Sequence, residues 1–241
     1  MRYFIELSYL GKNYHGWQIQ PDANSIQEEI NKAISTVLQE KISVVGAGRT
    51  DTGVHASQMF AHFDSDSILD KNMVFKLNSV LPEDIVIHKV EKVAEEKHAR
   101  FDALSRSYEY RICLGRNPFL LESTWQLFHQ KLDIDAMNEA AEILLEFENF
   151  QAFSKVKTEV KTFNCKIEKA IWTHEENKLI FHITANRFLR NMVRAIVGTL
   201  VDVGKHKISI EDFRNIILSK DRSNAGLSVP AKGLFLTEIK Y

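Results

Sequence analysis

The 241-residue chain has no apolar run long enough to cross a bilayer. Its longest stretch free of Asp, Glu, Lys and Arg is Thr52 to Phe63, twelve residues that include two histidines, against the roughly 20 apolar residues a membrane helix needs. Glu6 interrupts Met1 to Gly11, so these residues lack the apolar core of an export signal, and the expected compartment is the cytoplasm. Only two cysteines are present, Cys113 and Cys165, and they form neither a CxxC pair nor a disulfide framework for a chain of this size, so reduced core thiols are expected. Ten glycines and four prolines leave little room for collagenous, low-complexity or disordered stretches. Charge of one sign is not in excess either: 31 Lys and Arg stand against 32 Asp and Glu, a net charge of −1. The total gives no reason to expect a polyanionic partner, so any such site has to come from local clustering.

What is present is an ordinary globular composition, 44% apolar and 10% aromatic, enough for one large or two small domains. Arg2 to Tyr9 alternates, with Tyr3, Ile5, Leu7 and Tyr9 on one face, the period of a half-buried strand. Ser25 with Glu28 reads as a capping box ahead of an apolar helical stripe through Ile26, Ile30, Ala33, Ile34, Val37 and Leu38. Further strands are expected at Ile42–Val45, Ser57–Phe63, Ile85–Val93, through most of His98–Leu114, and at Cys165–His174, Lys178–Ala185 and Gly233–Tyr241. Helices are expected at Asp70–Val80, through the stripe Ala136 to Leu145, over Arg187–Val203 with Gly204 as its C-terminal cap, and from Ser209. Leu10-Gly11-Lys12-Asn13 followed by Trp17-Gln18 is echoed by Leu114-Gly115-Arg116-Asn117 followed by Trp125-Gln126, which suggests two halves of similar plan. Connections too short for parallel crossovers predict an α+β fold with largely antiparallel sheet.

The most unusual stretch is Gly46-Ala47-Gly48-Arg49-Thr50-Asp51-Thr52-Gly53. Gly48 and Gly53 have P-loop spacing, but Val54-His55 stand where Lys and Ser or Thr are required, and Asp51 occupies the place of the third glycine of a dinucleotide fingerprint. Two readings stand: a turn shaped by Asp51, or an Arg and an Asp presented for chemistry on a loop whose glycines admit another backbone. Arg187, Arg190 and Arg194, at i, i+3 and i+7, would share one ridge of the long helix, either as a solvated face or as phosphate ligands. Tyr108 and Tyr110, two apart on a strand, are either core or a platform on which a base can stack. The nine histidines show no metal-ligand spacing, so no metal site is expected, and without a GxSxG elbow Ser-His-Asp catalysis is unsupported.

Gly48-Arg49-Thr50-Asp51-Thr52-Gly53-Val54-His55-Ala56, Tyr14-His15-Gly16-Trp17-Gln18-Ile19-Gln20 with Ser25-Ile26-Gln27-Glu28, His98-Ala99-Arg100-Phe101 with Arg106-Ser107-Tyr108-Glu109-Tyr110, and Met192-Val193-Arg194-Ala195-Ile196-Val197-Gly198 together resemble the tRNA pseudouridine synthase A family, in the family's order and across essentially the whole chain. The resemblance implies two similarly built α+β halves, 1–104 with the Asp loop and 105–241 with the Tyr and the arginines, whose sheets join beside a basic cleft. It implies a homodimer that isomerises uridines at positions 38 to 40 of the tRNA anticodon stem-loop without a cofactor. Residue by residue, Asp51 matches the catalytic Asp, Tyr108 the active-site Tyr and Arg194 the Arg beside the Asp. Arg49 matches the residue that fills the space left by a flipped nucleotide, while Arg187 and Arg190 are expected to contact phosphates. The rivals are an RNA-binding protein that uses the same residues without chemistry, and an RNA hydrolase with Asp51 and His55 as acid and base.

Overall fold

The computed structural model describes residues 1–128, 130–156 and 160–241. In chain order its main elements are β1 (Arg2–Tyr9), α1 (Ile26–Leu38), β2 (Val45–Gly46), β3 (His55–Asp64), α2 (Met73–Val80), β4 (Ile85–Val93), β5 (Ser105–Cys113), β6 (Trp125–Gln126), α3 (Ile134–Ile143), β7 (Ile167–Glu175), β8 (Lys178–Ala185), α4 (Met192–Gly204), α5 (Ile210–Ser219) and β9 (Leu234–Lys240). The fold is α+β with largely antiparallel sheet. Among the described residues no helix is long and apolar enough to cross a membrane. The chain divides into two compact units, Met1–Leu104 with Phe235–Tyr241, and Ser105–Leu234.

In the first unit β1 is central, antiparallel to β3 with Phe4 opposite His62 and to β4 with Ile5 opposite Val90. Its alternation buries Tyr3, Ile5, Leu7 and Tyr9 as the pattern predicts. Phe4, on the other face, is buried as well because the rings of Tyr241 and His62 lie against it at 5.6 and 6.0 Å. β9 runs parallel to β3, pairing His55 with Phe235 and Ala56 with Leu236. α1 starts where Ser25 Oγ accepts the Glu28 N–H at 3.3 Å, and it buries Ile26, Ile30, Ala33 and Ile34. Each such isoleucine contributes about 1.5–3 kcal/mol relative to exposure.

Two of the elements that are shorter than the sequence predicts owe it to side chains that take up backbone groups. The strand expected over Ile42–Val45 shrinks to β2 because α1 side chains occupy its backbone groups. Asn31 Oδ1 accepts the Val44 N–H at 2.8 Å, Gln27 Nε2 donates to the Val44 carbonyl at 2.8 Å, and Ser35 Oγ accepts the Ile42 N–H at 3.0 Å. Residues 98–104 form a turn instead of opening a strand. His98 Nδ1 accepts the Arg100 and Phe101 N–H groups at 3.1 and 3.3 Å, and Asp102 Oδ2 accepts the His98 N–H at 2.9 Å, so backbone pairing starts only at Leu104, whose N–H donates to the Lys240 carbonyl at 2.7 Å.

In the second unit β8 lies between β5 and β7, antiparallel to both, with β6 parallel to β5. Asp133 caps α3 by accepting the Ala136 N–H at 2.9 Å, and α3 packs on β7, α4 and α5. α4 is buried on nearly every side, with Arg194 and Asp202 partly exposed. The expected helix over Arg187–Val203 is corrected: it begins at Met192, because Asn191 has φ +66°, and a right-handed helix cannot run through a left-handed residue. Gly204 is the last helical residue rather than the cap. A side chain there would overlap Met137 of α3, and the left-handed turn is made two residues later by His206. The echoed segments do different jobs: a side chain at Gly11 would strike the Val54 carbonyl while Gly115 faces open space, and Trp17 is buried in a loop while Trp125 lies on β6. Cys113 and Cys165 are buried free thiols, and burial pushes the Cys165 thiol up to about 11.

Candidate active site

The chain leaves β2 at Gly46 and enters β3 at His55, and Asp51 lies half-buried on the loop between, with Arg49 exposed two residues earlier. The Val54 N–H donates to the Asp51 carbonyl at 3.1 Å, and Gly53 sits at φ +78°, so the loop closes as a tight turn immediately after Asp51. Residues 9–17 grip this turn from both sides. The Trp17 N–H donates to the Thr50 carbonyl at 3.2 Å and the Gly53 N–H to the Tyr14 carbonyl at 3.3 Å, while Tyr9 Oη lies 2.8 Å from Thr50 Oγ1. Gly16 makes this possible, because at φ +91° a side chain there would overlap the Thr50 carbonyl. Trp17, buried against Gly46, and Tyr14, whose hydroxyl donates to Asp84 Oδ1 at 2.5 Å, anchor the gripping segment in turn. Burial and that hydrogen bond raise the Tyr14 pKa, so it remains a donor at any physiological pH. Asp51 is thus a short carboxylate on a backbone held at the residues before and after it, which is what a group that must meet a reacting atom requires.

His55 does not fit the acid–base role of the hydrolase reading. It is fully buried, its Nδ1 accepts the Gly11 N–H at 2.9 Å, and its ring lies 4.6 Å from that of Phe235. Its place is structural, closing the base of the Asp51 loop.

In the second unit the two tyrosines of β5 part company. Tyr110 is core, with its hydroxyl donating to the Pro230 carbonyl at 2.8 Å and its pKa raised by burial. Tyr108 keeps a half-exposed ring that meets Phe188 edge-on at 5.2 Å and 88°, an arrangement that fixes the ring plane. Arg194 is in the first turn of α4. Its Nε donates to the Val229 carbonyl at 2.7 Å, which aims the guanidinium, and the Val229 N–H donates to the Arg194 carbonyl at 3.2 Å. Gly198 admits the segment that carries Val229: a side chain there would overlap the Leu227 carbonyl.

The common ridge expected for the three arginines is not formed. Only Arg194 is helical. Arg187 is half-buried and Arg190 exposed on the link between β8 and α4, where the Arg190 carbonyl accepts the Lys155 N–H at 3.1 Å. Asp51 and Arg49 belong to the first unit, and Tyr108, Arg187, Arg190 and Arg194 to the second. Sequence reading missed the grip of Tyr9, Tyr14 and Trp17 on Thr50 and Gly53, and the use of Val229 to aim Arg194. Gly16 and Gly198 were the available signals, since each is a glycine pressed against a carbonyl.

Residues 7–102 and 140–241 match a family model described as tRNA pseudouridine synthase. Asp51 and Arg194 fall within those stretches, and Tyr108 lies between them. Relatives named tRNA pseudouridine synthase A include one from Parabacteroides distasonis, 49% identical over 100% of this chain and 96% of its own length. A second, from Bacteroides thetaiotaomicron, is 50% identical over 100% and 90%. A more distant one, from Clostridium acetobutylicum, is 41% identical over 98% of each.

Proposed function

The chain belongs to the tRNA pseudouridine synthase family, and from that premise we propose that it isomerises uridine to pseudouridine at positions 38 to 40 of the tRNA anticodon stem-loop, with Asp51 as nucleophile. The observation that carries the reading is the Asp51 loop, whose neighbours Thr50 and Gly53 are both hydrogen-bonded to a second segment while Asp51 stays half-exposed. In the reaction the ribose C1′–N1 bond breaks, the base turns, C1′ bonds to C5, the hydrogen on C5 leaves and N1 gains one. Product and substrate have the same composition. No electron carrier or energy source enters that balance, so the reading includes no cofactor.

The roles follow from chemistry. An ionised carboxylate at Asp51 is needed to assist departure of the base or to trap the sugar or base covalently. Desolvation beneath bound RNA pushes a carboxyl towards its neutral form, and Arg194, its direction fixed by Val229, is assigned to oppose that. The target nucleotide must leave its stack at a cost of a few kcal/mol, and stacking on the Tyr108 ring returns about 1–3 kcal/mol. Tyr108 is also assigned to help remove the C5 proton. Arg49, exposed on the held loop, is assigned to fill the space the nucleotide leaves, and Arg187 and Arg190 to phosphates. The same reading makes the enzyme a cytoplasmic homodimer.

The test is incubation with unmodified tRNA transcripts followed by mapping of pseudouridine at every uridine. Asp51→Ala is expected to abolish product while tRNA binding stays largely intact, because the substitution removes the reacting group and no phosphate ligand. Undiminished product from purified Asp51→Ala protein sinks the assignment, and release of free base or a cut strand would favour the hydrolase.

A further inference from the structure

The second unit carries a groove of about 410 Å³ that the roles above do not use, within the roughly 300–1,000 Å³ range of ligand pockets. Its lining is chemically mixed: the half-buried ring of Phe163, the amide of Gln151, the hydroxyl of Ser154, and the cations Lys155, Lys220 and Arg222. Among the described residues Asp221 is the one acid in the lining, and its carboxylate is committed to the local turn, where Oδ1 accepts the Ser223 N–H at 2.9 Å. Among the described lining residues three cations therefore stand beside one anion, on a chain whose overall charge is −1.

The walls come from separate stretches, parts of which are held by hydrogen bonds within the protein. The Phe150 N–H donates to the Phe163 carbonyl at 3.1 Å, the Ser154 N–H to the Gln151 carbonyl at 3.0 Å, and Arg222 donates through Nη1 to the Ala225 carbonyl at 3.2 Å and through Nη2 to Ser228 Oγ at 3.0 Å. The Lys155 N–H is bonded to the Arg190 carbonyl, so one wall is tied to the backbone of a residue assigned above to phosphates. An aromatic wall, an amide able to meet a base edge, and exposed lysines are the parts a single ribonucleotide within a chain calls for.

We propose that this groove binds one nucleotide of the substrate tRNA other than the uridine that reacts, with its base against Phe163 and its phosphates on Lys155 and Lys220. The inference rests on the family reading for the identity of the RNA, and its test is separable from that reading. Binding of tRNA to Asp51→Ala protein is measured across a series of potassium chloride concentrations, with and without Lys155→Ala and Lys220→Ala. Both lysines are exposed, so the fold is not at stake. The double variant is expected to bind more weakly and to lower the slope of log affinity against log salt by about 0.9 for each phosphate it no longer neutralises. Phe163→Leu, checked for folding by its thermal transition, is expected to weaken binding by about tenfold with the slope unchanged. Affinity and slope equal to those of the Asp51→Ala parent in the lysine variant overturn the proposal. Uridine monophosphate is the second probe: if the lysine variant loses it while keeping its affinity and slope for tRNA, the groove serves a free nucleotide and the proposal is wrong. A wild-type enzyme that modifies no uridine would defeat the family reading and leave these binding results standing.

Discussion

His62 shows how strongly one side chain can be constrained away from the chemistry. It is 4% exposed, lies beside Phe4 with His98 edge-on at 4.6 Å, and its Nδ1 accepts the Ala99 N–H at 3.2 Å. Burial above all, then the neighbouring His98 and Arg2, lowers its pKa from 6.5 to about 4, against the weaker pull of Asp64 and Asp102. The folded state therefore refuses a proton that the unfolded chain takes up near pH 6.5. Stability from this residue is intact above that pH and is lost as pH falls towards 4, by about 3 kcal/mol. Urea unfolding of parent and His62→Gln from pH 7 to about 4 checks this: the variant is expected to lose less stability over that window, and parallel curves would remove His62 from the account. At this scale the sequence was most informative where chemistry needs a particular residue type. Asp51, Arg49 and Tyr108 stand out by motif, whereas the pairing of Arg194 with Val229 rests on a backbone carbonyl, which no residue type announces.

Among the elements, periodicity succeeded where burial is one-sided, as in β1 and α1, and failed where side chains compete with the backbone ladder. Asn31, Gln27 and Ser35 cut short the strand before β2, and His98 and Asp102 turn the chain before β5. The spacing of Arg187, Arg190 and Arg194 satisfies a helix by arithmetic, yet the left-handed Asn191 ends that helix before it reaches Arg190, and periodicity does not register a single φ. The same sensitivity makes Gly16 the best probe of the Asp51 loop. Gly16→Ala must either abandon φ +91° or push the Thr50 carbonyl away. It is expected to cost about 1–3 kcal/mol of stability in urea unfolding. If the loop shifts by about 1 Å, the single-turnover rate of pseudouridine formation is expected to fall by about a hundredfold. Lost stability with an unchanged rate would show that residues 9–17 support the fold and do not position Asp51.

For the whole molecule, the near-equality of 31 cations and 32 anions bears on solubility and says little about the partner, because the positive charge is unevenly placed. No acidic residue occurs between Arg187 and Val201, and the chain folds so that Lys155, far away in sequence, is bonded to Arg190. That convergence was not legible beforehand, since it depends on the link between β8 and α4 being irregular and not helical. If the arginines of this link hold phosphates, tRNA binding should weaken steeply with salt despite the net charge of −1. Arg187→Ala and Arg190→Ala should each flatten that dependence by about 0.9 in the slope of log affinity against log salt, because fewer counterions are released on binding. The two sites differ in exposure, so their outcomes separate. Arg190 is exposed, and its substitution should act on binding alone. Arg187 is half-buried and close enough to the Cys165 thiol to lower its pKa against the effect of burial, so Arg187→Ala should raise the native thiol's pKa as well as weaken binding. A salt slope identical to the parent's in both variants would refute the phosphate assignment.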